Sequence, residues 1–312
     1  MMMVKILPYL FCFSLGIFFA QLFRQLQLVE MIWKRNQAAL DATNGTPFLI
    51  KKNRILCLVL TTESNHLNKS STVSHSWGKH CDGLTFLSDK ADSKLPAIEA
   101  SNVSDYRHVW QKVWNGFKWA HDTQLDNFDW FLKADDDTFV VLPNLRSLLG
   151  NYEPNGEYYL GREFNFFENR QVYTYNSGGA GYVLSKGALK KLFKQPLVDS
   201  ECPQPSTGGS EDVFMGLCLK AIGIGTSDTR DSNGRQRFHP FHPYNHVLRW
   251  SDGDEWIFQK DKYPFVEGLG CCSDLSIAFH YISPSEMKIY YYLIYKLELA
   301  KDSPVYEPMF IQ

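Results

Sequence analysis

The sequence lacks an excess of charge of either sign. Its 312 residues carry 32 Lys and Arg against 34 Asp and Glu, which gives a formal net charge of -2. A chain so close to neutral offers no electrostatic support for binding nucleic acid or an acidic membrane surface. We therefore expect no nucleic-acid partner, and we expect any nucleotide that binds to be small.

Several nucleotide and metal signatures are also missing. No G-x-G-x-x-G follows the first strand-like run and no G-x-x-x-x-G-K-[ST] occurs, so the dinucleotide fingerprint and the P-loop are both excluded. No C-x-x-C pair has a partner pair, so we expect no structural zinc. Internal repeats and low-complexity tracts are absent as well. The 44% hydrophobic content is instead that of a chain that folds around a sizeable core.

One long uncharged run lies near the N-terminus. Residues 6–23 read ILPYLFCFSLGIFFAQLF and are bounded by Lys5 and Arg24. The length is about the minimum for a membrane-spanning helix. Ala20 is not followed by the small residues of a signal-peptide cleavage site, so we interpret the run as a retained anchor rather than a cleaved signal.

The remaining chain divides by composition. Residues 1–5 precede the anchor as a cytoplasmic tip, and residues 24–53 mix polar and apolar side chains without a clean period, as expected of a stem. We expect one folded lumenal domain over residues 54–300 and a tail over residues 301–312.

Six of the seven cysteines follow the anchor, and an even number in a lumenal domain predicts disulfides. The sequence leaves their pairing open among Cys57, Cys81, Cys202, Cys218, Cys271 and Cys272. Three N-x-S/T sequons support the lumenal placement, although such short motifs also arise by chance. They begin at Asn44, Asn68 and Asn102.

Strand and helix patterns alternate through the folded region. The apolar run RILCLVLTT at 54–62 is typical of a strand buried on both faces. Residues 106–121 repeat apolar side chains at helical spacing. We expect further helices at 70–81, 143–149 and 186–193, strands at 84–87 and 158–161, and a strand in the apolar run that starts at 129 and ends at three consecutive carboxylates. The alternation predicts a doubly wound α/β fold with a mainly parallel sheet.

Three consecutive carboxylates end one of the buried strands. Asp135, Asp136 and Asp137 follow the run DWFLKA and so lie at a carboxyl strand end, where ligands bind in such sheets. Like charges this close raise one another's pKa unless a cation intervenes. Hard carboxylate oxygens suit Mg²⁺ or Mn²⁺, which would bridge the phosphates of a nucleoside diphosphate. The alternative is a solvated acidic turn, and the hydrophobic strand favours the metal.

Two glycine-rich segments follow. In SGGAGYVLS, Gly178 and Gly179 either let the backbone approach a ligand closely or form a plain tight turn. In GGSEDVFMG, Ser210 is placed to cap a helix whose first turn holds Glu211 and Asp212. Those carboxylates either complement the helix dipole or supply a general base for an acceptor hydroxyl.

His280 is the best metal-ligand candidate among the nine histidines, because the stretch AFHY around it is apolar and strand-like. The alternative is a buried, hydrogen-bonded histidine. His239 and His242, in FHPFHP, look like turn residues held by Pro240 and Pro243. We assign them no chemistry.

Four segments together carry a family signature: FLKADDDTFVVLPNL, SGGAGYVLS, GGSEDV and VEGLGCCSDLSIAFHY. Over residues 54–295 the chain resembles the core 1 β1,3-galactosyltransferases of the β3-glycosyltransferase family, which also includes the fringe proteins. The doubled Cys271 and Cys272, followed by Ser273 and Asp274, is the most specific part of the resemblance.

The resemblance implies a type II Golgi membrane protein whose lumenal catalytic domain has a GT-A nucleotide-sugar-binding fold. It implies Mn²⁺ as cofactor, a homodimer, and inversion at the anomeric carbon. Galactose would pass from UDP-galactose to the 3-hydroxyl of N-acetylgalactosamine on Ser or Thr of a glycoprotein.

Carried over residue by residue, the resemblance makes Asp212 the base. It makes Asp137 the principal metal ligand and His280 the second, and we include Asp135 in the metal set. We expect the nucleotide sugar to contact Asp135, Asp136, Gly178, Gly179 and Glu211.

Three other functions fit parts of the sequence. The core 1 branch includes a non-catalytic chaperone of the same architecture, but that relative lacks the acidic triplet and the late histidine, both of which this chain keeps. A lumenal lectin would suit the 15% aromatic content but has no use for a base beside a metal. A paralogue with another donor, or with a glycolipid acceptor, would share every motif quoted above.

Overall fold

The computed structural model describes residues 53–105, 108–168, 171–197, 201–248 and 256–298. The predicted anchor at 6–23, most of the stem and the tail at 301–312 lie outside these ranges. Within them, no helix combines the length and apolarity needed to span a membrane.

The described residues contain twelve strands and eight α-helices. The strands are β1 (Ile55–Leu60), β2 (Gly83–Ser88), β3 (Ala97–Glu99), β4 (Trp130–Asp135), β5 (Phe139–Val140), β6 (Tyr159–Gly161), β7 (Glu163–Glu168), β8 (Gln171–Asn176), β9 (Tyr182–Ser185), β10 (Thr226–Ser227), β11 (Phe238–His239) and β12 (Ala278–Phe279). The helices are α1 (Ser71–His75), α2 (Val109–Gln124), α3 (Leu142–Leu149), α4 (Lys186–Lys194), α5 (Glu211–Ala221), α6 (Pro243–Val247), α7 (Trp256–Lys260) and α8 (Pro284–Tyr295).

Seven strands form the central sheet in the order β10-β6-β9-β4-β1-β2-β3. Strand β4 lies at its centre, and the neighbouring β1 places Leu58 opposite Thr85 of β2 and Lys133 of β4. Every neighbouring pair is parallel except the two that include β9, which runs antiparallel to β4 and β6. The predicted α/β class and the mainly parallel sheet are confirmed.

Helices cover both faces of this sheet because its strands are apolar on both faces. Ile55, Cys57 and Val59 of β1 pack on one side with α3 and Met287 of α8. Leu56 and Leu58 pack on the other side with α2, α4 and α5. Side chains alternate in direction along a strand, so a continuous apolar run is what a sheet between two helical layers requires. The doubly wound arrangement predicted from the sequence is present.

One predicted helix is shorter than expected. The segment 70–81 contains α1 and a 3-10 turn at Trp77–His80, separated by Ser76 in a non-helical conformation. The Ser76 hydroxyl donates back to the carbonyl of Thr72 at 2.7 Å, which satisfies this side chain at the end of α1.

A small second sheet brings distant parts of the chain to the end of β4. Its order is β11-β12-β5, and β12 pairs antiparallel with β5 so that Phe279 lies opposite Phe139. The backbone N–H of Ile282 donates to the carbonyl of Asp137 at 2.8 Å and continues this contact. His280, which directly follows β12, is thereby held beside the acidic triplet.

The predicted disulfides are confirmed and their pairing is resolved. The bonds join Cys57 to Cys81, Cys202 to Cys218, and Cys271 to its neighbour Cys272. The first ties β1 to the segment that leads into β2, and the second attaches α5 to the preceding loop.

The predicted cap at Ser210 is only partly present. Ser210 occupies the N-cap position of α5 with an extended backbone, but its side chain makes no capping hydrogen bond. Ser283 at the start of α8, in contrast, forms a complete capping box with Glu286. The fully formed box satisfies two backbone N–H groups that would otherwise have no partner in the helix.

We expect Ser283→Ala to lower the free energy of unfolding by about 1 kcal/mol, because it removes the side-chain acceptor of a capping box. The matched control is Ser210→Ala, which removes an N-cap hydroxyl without a capping bond and should change stability by less than about 0.5 kcal/mol. Chemical unfolding of both variants measures the difference. Equal losses in the two variants would contradict the capping assignment.

Candidate functional site

Asp135, Asp137 and His280 form a cluster at the carboxyl end of β4. The His280 Nε2 atom lies 3.1 Å from Asp137 Oδ1 and 3.5 Å from Asp135 Oδ2. One ligand atom from each of the three residues lies within 4.8 Å of the others. The His280 Nδ1 atom donates to the carbonyl of Pro240 at 3.3 Å, which directs Nε2 toward the carboxylates. Such an outer hydrogen bond is what orients metal-binding histidines.

Lys69 adds a cationic group to the cluster. Its Nζ atom lies 2.9 Å from Asp137 Oδ2. Burial alone would raise the pKa of Asp137, but the hydrogen bonds and charges of His280 and Lys69 lower it overall. Sequence reasoning missed Lys69, which lies in the short helical turn His66–Ser70 and carries no motif.

Asp136 is directed away from His280. Its carboxylate is buried and accepts hydrogen bonds from Thr61 Oγ1 at 2.7 Å and from Asn65 Nδ2 at 2.9 Å. Burial raises the pKa of Asp136, although Thr61, Lys69 and Asn65 oppose that shift. The side chain therefore ties the triplet to the end of β1. Its predicted contact with a nucleotide stays a prediction.

A buried lysine connects the triplet to helix α5. Lys133 Nζ lies 2.8 Å from Asp135 Oδ1 and 2.6 Å from Glu211 Oε1, and it donates to the carbonyl of Gly178 at 3.2 Å. Burial alone would lower the pKa of Lys133, but Asp135 and Glu211 raise it overall, so the amine stays charged. The sequence offered one signal for this residue, a single charged side chain inside the apolar strand WFLKAD.

Glu211 and Asp212 occupy the first turn of α5 in different surroundings. Glu211 is buried, and its Oε2 atom accepts a hydrogen bond from the hydroxyl of Tyr182 at 3.1 Å. Asp212 is half-buried and accepts from the backbone N–H groups of Gly178 at 3.0 Å and Val213 at 2.9 Å. Asp212 is the more accessible of the two carboxylates, because its side chain is only half-buried whereas that of Glu211 is buried.

Burial dominates the proton affinity of both acids. It raises the pKa of Glu211 to about 7, since the charge of Lys133 offsets it only in part and the charges of Asp212 and Asp135 add to it. Burial also raises the pKa of Asp212, against the hydrogen bond from Gly178 and the charge of Lys133. The buried ammonium group of Lys133 thus offsets only part of the effect of burial on Glu211 and Asp212, and the pKa of both acids stays raised.

The glycine-rich segment lies between these two halves of the site. A Cβ atom on Gly178 would fall 2.1 Å from Glu211 Oε1, and one on Gly179 would fall 2.2 Å from His280 Nδ1. Both positions therefore require glycine, because any side chain would clash with Glu211 or His280. This steric requirement accounts for the two glycines whether or not a ligand binds.

A cavity of about 400 Å³ opens over these residues, and Asp135, Glu211, Asp212 and His280 line its floor. Its size lies within the range of small-molecule sites. Aromatic side chains from the β7–β8 hairpin, α7 and the loops beside β11 and β12 form its walls: Phe164, Phe166, Tyr175, Phe241, Trp256 and Tyr281. Ring faces of this kind suit the apolar faces of pyranoses.

The prediction for the FHPFHP histidines was wrong in part. His239 is fully buried in β11, where it stacks on Phe279 with ring centroids 4.3 Å apart. His242 does lie in a turn, but its Nδ1 atom accepts from the backbone N–H of Tyr244 at 3.1 Å and caps α6. The pairing of β11 with β12, which cannot be read from a local pattern, accounts for the burial of His239.

The fold and this site define a class of protein: an α/β protein that gathers a carboxylate–histidine cluster and an acid pair at the carboxyl edge of its sheet. A family model described as Fringe-like matches residues 50–232. The match covers more than half of the sequence, so the chain belongs to the Fringe-like family.

Individual relatives agree with this family. The chain is 38% identical over 262 residues to glycoprotein-N-acetylgalactosamine 3-beta-galactosyltransferase 1 of Xenopus laevis, an alignment that covers 83% of this chain and 71% of the relative. It is 24% identical over 180 residues to a beta-1,3-glucosyltransferase of Mus musculus, which covers 58% of this chain and 35% of that relative. The resemblance to the core 1 branch is confirmed by the first of these.

Among solved structures, the chain is similar to the galactosyltransferase LgtC in complex with donor and acceptor sugar analogs. The TM-score is 0.43 and the sequence identity 10%, with 78% of this chain and 97% of that chain covered.

We expect Gly179→Ala to lower the affinity for Mn²⁺, measured calorimetrically in the presence of UDP, on the order of tenfold to a hundredfold. The new methyl group would displace the His280 ring from the two carboxylates. The matched control is Gly225→Ala, where a Cβ atom meets nothing within 4 Å. Equal affinity in the two variants would show that the position of His280 does not matter to the metal.

We expect Glu211→Gln to change how stability depends on pH. The folded-state pKa of about 7 lies above the ordinary 4.5, so the folded wild type holds this proton more tightly and loses stability as pH rises between those values. The variant has no such loss. Relative to wild type it should gain up to roughly 3 kcal/mol between about pH 4.5 and about pH 8 in chemical unfolding. A difference that stays constant over this window would contradict the assignment.

Proposed function

We propose that the chain is an inverting β1,3-galactosyltransferase that moves galactose from UDP-galactose to the 3-hydroxyl of N-acetylgalactosamine α-linked to Ser or Thr. The observation that carries this proposal is that Asp212 lines the same cavity as Asp135 and His280, which cluster with Asp137 as candidate metal ligands. Inversion requires one base on the acceptor side and stabilisation of the leaving group, but no protein nucleophile. The relative in Xenopus laevis supports the choice of donor and acceptor.

Asp212 takes the part of the base in this proposal. Its two backbone hydrogen bonds, from Gly178 and Val213, fix the orientation of the carboxylate. The upward shift of its pKa makes it a stronger base than a solvated aspartate. Glu211, fixed by Lys133 and Tyr182, instead positions the turn that carries Asp212.

Asp135, Asp137 and His280 would hold Mn²⁺. Two carboxylates and one imidazole are a donor set that suits this ion, and their ligand atoms already lie within 4.8 Å of one another. When bound, the ion would supply positive charge to the diphosphate leaving group. The residues proposed to contact the nucleotide sugar are still Asp135, Asp136, Gly178, Gly179 and Glu211.

The fold is proposed to be of the GT-A type, on the grounds that a mainly parallel sheet presents the acidic triplet at a strand end. We further propose a type II Golgi membrane protein that acts as a homodimer, with residues 6–23 as its anchor. Three disulfides support an oxidising compartment such as the secretory pathway. Asn68 and Asn102 are exposed, as glycosylation of these sequons would require.

A panel of donors and acceptors tests the proposed reaction. The purified chain should transfer galactose from UDP-galactose to an N-acetylgalactosaminyl peptide in the presence of Mn²⁺, with a β1,3 linkage in the product. Transfer to glycolipids alone, or from another UDP-sugar, would assign a different substrate. The absence of both transfer and donor hydrolysis would favour the chaperone alternative.

We expect Asp212→Asn to lower kcat on the order of a thousandfold or more, because the base is lost, while Mn²⁺-dependent UDP binding stays within about twofold. Asp137→Ala, in contrast, should weaken Mn²⁺-dependent UDP binding by at least about tenfold. Product formation and titration calorimetry on both variants separate the two roles. Near-normal transfer by Asp212→Asn would remove this residue from the role of base, and unchanged UDP affinity in Asp137→Ala would remove Asp137 from the ligand set.

A further inference from the structure

A second group of metal-binding side chains lies apart from the acidic cluster. His239 and His246 are 0% and 1% exposed, and their ring centroids are 4.9 Å apart. The Sγ atom of Cys272 lies 3.8 Å from His239 Nδ1. One ligand atom from each of these three residues lies within 4.8 Å of the others, so two imidazoles and one sulfur converge on a common centre.

The hydrogen bonds of His239 determine which of its nitrogens faces this centre. The Ser276 hydroxyl donates its single hydrogen to the carbonyl of Ser273 at 2.6 Å. It must therefore accept from His239 Nε2, which lies 3.0 Å away. The Nε2 atom thus carries the ring hydrogen, and the lone pair of Nδ1 points toward Cys272. A metal-binding histidine is oriented in this way by a hydrogen bond from its other nitrogen.

A cavity of about 330 Å³ reaches the second imidazole, that of His246, from outside, with Cys271 also on its wall. The cavity provides a path by which an ion could enter. Two cations on its wall are already neutralised, Arg162 by Asp261 and Arg235 by Asp231 and Asp274.

The disulfide between Cys271 and Cys272 controls the sulfur ligand. A thiolate binds metal, whereas the sulfur of a disulfide is a poor ligand. We propose that His239, His246 and Cys272 form a second metal site, which binds a divalent cation with affinity for thiolates, such as Zn²⁺, once this disulfide is reduced. The reductant is a dithiol, which gives two electrons and two protons to form the Cys271 and Cys272 thiols and becomes a disulfide itself. Metal binding then displaces the Cys272 thiol proton to solvent.

This site is independent of the proposed transferase chemistry. The two centres are linked by a backbone hydrogen bond, in which the N–H of His280 donates to the carbonyl of His239 at 3.2 Å. Their ligand sets share no side chain: one has carboxylates and an imidazole, and the other has a thiolate and two imidazoles. A thiolate ligand therefore distinguishes ions bound at the second site.

The adjacent cysteines provide a matched pair of variants. Cys271→Ser and Cys272→Ser both remove the disulfide, but only Cys271→Ser leaves the Cys272 thiol beside His239. Co²⁺ serves as the probe, because thiolate ligation gives an intense charge-transfer band in the near ultraviolet that carboxylate and imidazole ligands do not give. The full-length chain is titrated with Co²⁺ in the presence of excess Mg²⁺, and near-ultraviolet circular dichroism checks the fold of each variant.

We expect Cys271→Ser to show the thiolate band at one equivalent of Co²⁺ without reductant, and Zn²⁺ to displace it. Wild type should show the band only after treatment with dithiol. Cys272→Ser should show none, even after the same treatment, which also controls for thiols released from the other two disulfides. His246→Phe in the Cys271→Ser background should weaken Co²⁺ binding at least about tenfold, through loss of one ligand.

Two results would overturn the proposal. One is an equal band in Cys272→Ser, which would place the thiolate elsewhere. The other is the absence of a band both in folded Cys271→Ser and in folded, reduced wild type. Should Cys271→Ser fail to fold, reduced wild type against reduced Cys272→Ser gives the same decision. Neither result depends on galactosyl transfer, so failure here leaves the proposed reaction untouched.

Discussion

The ammonium group of Lys133 is the interaction on which the arrangement of the site depends. It lies 2.8 Å from Asp135 at the end of β4 and 2.6 Å from Glu211 at the start of α5. Without this cation the carboxylates of Asp135 and Glu211 would repel each other. Removing one partner from a buried ionic network typically costs about 3–5 kcal/mol, because the remaining charge is left uncompensated. The distance between the cluster at the end of β4 and the helix that carries Asp212 is therefore set by a lysine inside the sheet.

Local patterns were sufficient to predict the elements that carry the site. The apolar run before Asp135 predicted a buried strand, and β4 ends at that residue. The helical period before His121 predicted α2, which extends to Gln124. Each of these elements buries apolar side chains against the core, so its apolar residues follow the pattern of a helix or a buried strand. For the glycines at 178 and 179 the sequence left open a close approach to a ligand or a plain tight turn, and the structure places side chains of the site against both.

Convergence of the site could not be predicted from such patterns. His280 meets Asp137 only because β12 pairs with β5, two strands of two residues each that are far apart in the chain. Strands this short carry no period, so the sequence placed His280 beside the triplet through family resemblance alone. Lys69 was missed for the same reason, since its partner Asp137 lies in a different element and a lone surface lysine has no pattern. The burial of His239 also follows from this small sheet.

The choice between Glu211 and Asp212 shows how structure adds to sequence at a site. Both carboxylates lie in the first turn of α5, and from the sequence either could complement the helix dipole. Their partners separate them: Glu211 accepts from a buried ammonium and a tyrosine hydroxyl, whereas Asp212 accepts only from backbone N–H groups. A carboxylate that must take a proton from an acceptor needs an oxygen open to the cavity. Glu211 is buried against its partners and fixes the turn, whereas Asp212 is only half-buried and lines the cavity.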